Sequence, residues 1–150
     1  MASAMISKMD QELVLAQKSK NEDVVSCLRM IKSACKYKQV ELKRELTDED
    51  VIDVLSKQAK QRRESIDGFE KGNRPELVAK EKAELALIET FLPQQLTEAE
   101  VVAMVQEAIK ASGAASVKDM GKVMGILTPK VKGKTDMGKL SGLVKKGLGA

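Results

Sequence analysis

Nine lysines occupy the last third of this 150-residue chain, at positions 110, 118, 122, 130, 132, 134, 139, 145 and 146, against five acids at 98, 100, 107, 119 and 136. From Lys110 onward only Asp119 and Asp136 oppose them. A crowd of one sign does one kind of chemistry well: it neutralises a polyanion, each lysine beside a phosphate releasing a counterion. Residues 1–95 hold 17 basic and 17 acidic residues, so the whole formal charge of +4 belongs to residues 96–150. Lysine is a point charge rather than a bidentate fork, so recognition by Lys118, Lys122, Lys130, Lys132, Lys134, Lys139, Lys145 and Lys146 would be of nucleic-acid shape and backbone. On charge alone, a merely solvated lysine face stays open beside that reading.

Other chemistries are excluded by what the chain lacks. It has no histidine, hence no Ser-His-Asp or Cys-His nucleophile system and no imidazole metal site. Its aromatic residues are Tyr37, Phe69 and Phe91, too few for an aromatic cage or a stacking platform of several rings. Cys27 and Cys35 cannot make a four-thiolate site. Eight residues apart in one predicted helix, they are about 12 Å apart, beyond the roughly 7 Å reach of a disulfide. They read as small buried hydrophobes of a reducing compartment. No catalytic residue, cofactor or metal site is therefore expected.

Two further pairs stand out. Arg62 falls on the apolar stripe of Leu55, Ala59, Ile66 and Phe69, and Glu81 on that of Val78, Leu85 and Ile88. A charge on such a stripe needs a partner or water. This predicts two antiparallel helices with Arg62 or Arg63 facing Glu81 or Glu84, either as a register-fixing pair or as the floor of a polar groove. Gly121 and Gly125 share one face of a short helix, where each glycine costs about 1 kcal/mol relative to alanine. Close helix packing, approach of a phosphate, or an early helix end at Gly125 would each account for them.

The elements that must carry these residues are helical. Helix formers abound, strand-favouring aromatics are scarce, and the apolar spacing is three, four and seven throughout. A first helix opens at Ser3 or Ser7 and runs to about Lys18. A second, capped by Asn21, reaches about Arg44. Thr47 and Asp50 form a capping box for a third that Gly72 stops. Pro75 opens a fourth, and Pro93 ends it. Thr97 and Glu100 start a fifth that ends at Gly113. Ser116 caps a sixth that runs to about Leu127, with Pro129 as its stop, and a seventh begins near Asp136. The reading is all-α, with an N-terminal domain over 1–93 (about four helices, two of them long) and a small basic three-helix domain over 94–150. The first residues contain no basic segment leading into an apolar run, and no stretch of about 18 apolar residues occurs. A cytoplasmic protein with no membrane partner is expected.

Several of these segments together resemble the GatB/YqeY family. They are Leu46-Thr47-Asp48-Glu49-Asp50-Val51, Lys60-Gln61-Arg62-Arg63-Glu64-Ser65 with Phe69, Phe91-Leu92-Pro93-Gln94-Gln95-Leu96, Lys118-Asp119-Met120-Gly121-Lys122-Val123-Met124-Gly125, and Pro129-Lys130-Val131-Lys132-Gly133-Lys134. The likeness runs from about Leu13 to Val144 and is to the stand-alone YqeY-like members rather than to the amidotransferase subunit GatB. It implies two helical domains, the second similar to the tail with which GatB contacts tRNA. It also implies a family-level label, carbon-nitrogen ligase activity with glutamine as amido-N-donor, for which this chain supplies no Gly-rich phosphate loop after a strand and no histidine for general-base work. Lys134-Thr135-Asp136-Met137-Gly138 departs from the Arg-Ala-Asp-Gly of many members, which leaves the geometry of that loop open. The expectation is a tRNA- or RNA-binding accessory protein without catalysis, helping amidation or aminoacylation in trans. Its expected partners are tRNA or other structured RNA and an amidotransferase or aminoacyl-tRNA synthetase. A cofactor or subunit of a glutamine-dependent carbon-nitrogen ligase, and a helical protein-interaction adaptor, remain as alternatives.

Overall fold

The computed structural model describes residues 3–149, and among them every regular element is helical. The chain divides into two compact units, Met1–Pro93 and Gln94–Ala150.

Unit one has four helices among the described residues. Helix α1 (Ala4–Lys18) is capped by Ser3, whose Oγ accepts the Met5 N–H at 3.2 Å and donates to Asp48 Oδ1. Asn21 caps α2 (Glu22–Leu42) by accepting the Val24 N–H. That helix ends two residues before the expected Arg44. Lys43 turns left-handed (φ 55°), which brings the chain round so that Leu46 enters the core. The Thr47–Asp50 capping box starts α3 (Asp48–Lys71), and Asp50 also holds Arg44 at 2.6 Å. Asn73, not Gly72, takes the left-handed position (φ 55°) in the turn to α4 (Pro75–Phe91). Met9, Leu28, Ile31, Val51, Leu55 and Ile88 fill the centre of this unit and are solvent-excluded. Helices α3 and α4 run antiparallel, with Glu70 opposite Lys82 and Arg63 opposite Glu89.

Unit two has, among the described residues, three α-helices around a second core. Thr97 and Glu100 form the capping box of α5 (Glu98–Ser112), which ends on left-handed Gly113 (φ 67°). A 3-10 turn, Val117–Asp119, leads into α6 (Met120–Val131), and Asp136 caps α7 (Met137–Gly147) by accepting the Gly138 N–H at 2.8 Å. Val101 and Val105 meet Val123, Leu127, Leu140 and Val144 in the interior. Two expectations are corrected. Ser116 makes no side-chain cap, and the segment opens as a 3-10 turn that Asp119 ties down by accepting the Ala115 N–H at 2.9 Å. Pro129 does not stop α6 but sits inside its last turn. Proline there forfeits one backbone bond, yet Lys132 N–H still reaches Thr128 O at 3.1 Å, and continuing one turn buries Val131 completely.

Candidate nucleic-acid interface

Unit two holds its lysines on a rigid frame. Six of the eight candidates, Lys118, Lys122, Lys130, Lys139, Lys145 and Lys146, are exposed, as is Lys110, while Lys132 and Lys134 are half-buried. The half-burial follows from how the loop after α6 is held. Gly133 is left-handed (φ 76°) and buried, Gln95 Nε2 donates to its carbonyl at 2.7 Å, and Leu96 N–H donates to Lys134 O at 2.8 Å. Residues that precede α5 thus clasp the loop that carries two lysines.

Helix electrostatics sorts these lysines. Lys110, Lys130, Lys145 and Lys146 lie in the last turns of α5, α6 and α7, where a cation answers the negative end of the helix dipole and stabilises the fold. Lys118, Lys122 and Lys139 stand at the opposite ends, before or within the first turns of α6 and α7. Neither of those first turns contains an acid. A cation at a helix N-terminus is locally unfavourable, and here the N-cap aspartates Asp119 and Asp136 stand beside these lysines. An anion resting on the N-terminus beside them would be attracted by both dipole and charge. Asp119 and Asp136 oppose the positive field at these two helix starts. The Asp119 carboxyl is held below the usual range chiefly by the Ala115 N–H, then by Ser116 N–H and Lys122, whose Nζ is 3.9 Å away and mostly exposed.

A signal in the sequence marks these positions, and reading only for helical periodicity passes over it. Asp119-Met120-Gly121-Lys122-Val123-Met124-Gly125-Ile126-Leu127 recurs seventeen residues later as Asp136-Met137-Gly138-Lys139-Leu140-Ser141-Gly142-Leu143-Val144. The structure gives matched residues matched environments. Val123 and Leu140 are fully buried, as are Leu127 and Val144, while Lys122 and Lys139 are exposed. A Cβ at Gly125 or Gly142 would meet nothing within 4 Å. The same holds at Gly121, so the close helix packing expected at Gly121 and Gly125 is absent among the described residues, and α6 continues past Gly125 rather than ending there. Each repeat therefore presents an open glycine beside an exposed lysine. Gly147 behaves differently: a Cβ there would lie 2.8 Å from Ile109 Cδ1, which marks a close approach of α7 to α5.

In unit one, Arg62 Nη1 lies 3.3 Å from Glu81 Oε2 and 2.9 Å from Glu84 Oε2, and Nη2 faces Gln58 Oε1 and Met30 Sδ. Arg62 Nε is buried with no hydrogen-bond partner among the described residues. Arg63 turns to Glu89 at 3.4 Å. The set lies between α2, α3 and α4, where a guanidinium enclosed by its own helices does the work of fixing register. Burial pushes the thiols of Cys27 and Cys35 up to about 11, with Glu84 adding to the effect at Cys27. Both stay protonated and unreactive at neutral pH. Among the described residues no group of three or more His, Cys, Asp or Glu side chains could hold a metal, and no helix is long and apolar enough to cross a membrane.

The family model described as "Yqey-like protein" matches residues 6–148 of the chain. An uncharacterized protein of Schizosaccharomyces pombe is 34% identical over 84 residues, 56% of this chain and 68% of that protein. "Altered inheritance of mitochondria protein 41, mitochondrial" of Saccharomyces cerevisiae (strain YJM789) is 30% identical over 129 residues, 82% of this chain and 70% of that protein. The Eremothecium gossypii protein of the same name is 33% identical over 88 residues, 58% of this chain and 48% of that protein.

Proposed function

The chain belongs to the Yqey-like family, and from that premise we propose that it is an RNA-binding accessory protein, with tRNA as its foremost ligand. In this reading unit two grips the phosphate backbone and performs no chemistry of its own, assisting amidation or aminoacylation of tRNA carried out by a partner enzyme. The observation that carries the reading is the duplicated lysine–glycine face. Lys122 and Lys139 occupy equivalent first-turn positions at the positive ends of α6 and α7, beside glycines at which a Cβ would meet nothing. Unit two holds no aromatic residue and no arginine, which favours contact with shape and charge over stacking and base-edge readout. A reducing compartment suits two buried free thiols, and the name of the Saccharomyces cerevisiae relative describes that protein as mitochondrial.

Retardation of tRNA by the full-length protein across a salt series tests this. Binding is expected to weaken steeply as salt rises, and the variant Lys122→Glu/Lys139→Glu is expected to lose most of it. Equal retardation by that variant and the parent at low salt overturns the reading.

A further inference from the structure

The balanced charge of unit one conceals a basic face. Between Arg29 and Arg44 the chain carries six cations (Arg29, Lys32, Lys36, Lys38, Lys43 and Arg44) and one acid, Glu41. Three of the six are engaged: Lys32 with Asp10 at 2.5 Å, Arg44 with Asp50, and Lys38 loosely with Glu41 at 3.9 Å. Arg29, Lys36 and Lys43 are exposed and make no ion pair within 4.0 Å among the described residues. A spacing of seven puts Arg29 and Lys36 along one face of α2 about 10.5 Å apart, with Ser33 between them and Tyr37 and Val40 following, and Lys43 stands at the C-cap that ends the helix. Leu28, Ile31 and Cys35 lie on the opposite, buried face.

Tyr37 and Val40 are the most exposed large hydrophobics among the described residues, at 78% and 69%. A ring this exposed contributes little to the core. A protein interface of ordinary size needs about 800 Å² from each partner. Two side chains flanked by three unpaired cations offer far less apolar area than that. One ring beside three exposed cations suits instead a strand whose phosphates meet the cations while a single unstacked base lies on the ring. At the far end of the face, Arg29 and Lys20 share a shallow hollow with Gln17 and the acid Glu22, so the hollow is of mixed charge and the basic stretch starts at Arg29.

We propose that the outer face of α2 is a second nucleic-acid contact, binding an unpaired stretch of RNA (a loop, bulge or free end) with one base stacked on Tyr37 and the backbone along Arg29, Lys36 and Lys43. This goes beyond the phosphate-backbone contact proposed for unit two and stands without it.

The chain supplies its own reporter, because Tyr37 is its only tyrosine and it has no tryptophan. Intrinsic emission of the full-length protein is followed while a short oligouridylate is added at low salt, with binding scored independently by anisotropy of the labelled oligonucleotide. The expected result is saturable quenching. Arg29→Glu/Lys36→Glu/Lys43→Glu abolishes the quenching, and replacing the three by alanine lowers the slope of log affinity against log salt by about two. Tyr37→Ala, at an exposed position that spares the fold, weakens binding about fivefold or more. Lys122→Glu/Lys139→Glu leaves the quenching in place, so failure of the unit-two reading and failure of this one give different patterns. Unchanged emission at saturating oligonucleotide overturns the proposal. So does quenching that survives the triple reversal, or equal quenching by polyglutamate, which would make the partner an acidic protein.

Discussion

Arg62 Nη1 stands 2.9 Å from Glu84 Oε2 and 3.3 Å from Glu81 Oε2, so one guanidinium on α3 answers two carboxylates one turn apart on α4. All three side chains are more than four-fifths shielded from solvent. Such a set fixes which turn of α3 meets which turn of α4 whatever its net contribution to stability. Shifting the register by one turn would strand a charge in an apolar seam.

Arg62→Met should therefore destabilise unit one by about 3 kcal/mol, because it leaves two shielded carboxylates without their cation. Arg62→Met combined with Glu81→Leu and Glu84→Leu should recover most of that loss, ending within about 1.5 kcal/mol of the parent. Urea midpoints of the parent, single and triple variants check this. A triple variant no more stable than the single one would show that the charges do more than hold register.

Gly125→Ala and Gly142→Ala should each stabilise the protein by about 0.5–1 kcal/mol, since helix interiors favour alanine and a new Cβ meets nothing at either position. The same two changes should weaken retention of tRNA by narrowing the open faces beside Lys122 and Lys139. Thermal melting and retardation measured on the same samples decide the matter. Stabilisation with unaltered retention would remove the glycines from the RNA-binding face.

Much of this molecule is legible in its sequence, and the reasons are local. The two capping boxes, Thr47 with Asp50 and Thr97 with Glu100, are short-range signals, and the helices begin where those signals lie. Arg62 and Glu81 show themselves because a charge on an apolar stripe breaks a pattern. Pro129 misleads for a physical reason: its cost is local, whereas the burial of Val131 that outweighs it depends on α5 and α7. Gly121 and Gly125 mislead likewise, since spacing gives the face on which a glycine lies but not whether anything covers it. Tyr37 looks like one of three ordinary aromatics until its exposure is known.

Acid should weaken the start of α3. The Asp50 carboxyl is held far below the usual carboxylate range, first by the Arg44 guanidinium and then by the Thr47 N–H. A carboxyl whose native pKa is depressed lends its full stability above its unfolded value, near pH 3.9, and loses it as pH falls towards the native value. The parent should thus lose urea resistance below about pH 4. Asp50→Asn should be less stable than the parent at pH 6, with the gap closing as pH drops. Parallel stability curves for the two proteins from neutral to acid pH would contradict this.

Lysines at the two ends of the helices should behave differently. Lys122→Ala and Lys139→Ala should raise stability slightly, by about 0.3 kcal/mol each. Each should also flatten the slope of log RNA affinity against log salt by about 0.7–0.9, the share of one neutralised phosphate. Lys145→Ala and Lys146→Ala should lower stability by a similar small amount, because they remove cations from a helix C-terminus. A melting series with matched salt titrations checks both signs, and identical shifts from both pairs would refute the division.

The clasp by which Gln95 and Leu96 hold the Gly133 and Lys134 carbonyls sets where unit two truly begins. A fragment trimmed to the first helical residue, Glu98, would keep α5, α6 and α7 and give the circular dichroism of an intact domain. It would nevertheless free the Lys132–Lys134 loop from its strap. Anyone dissecting this protein by truncation should cut before Gln94, or a silent loss of loop geometry will be mistaken for a property of the missing half.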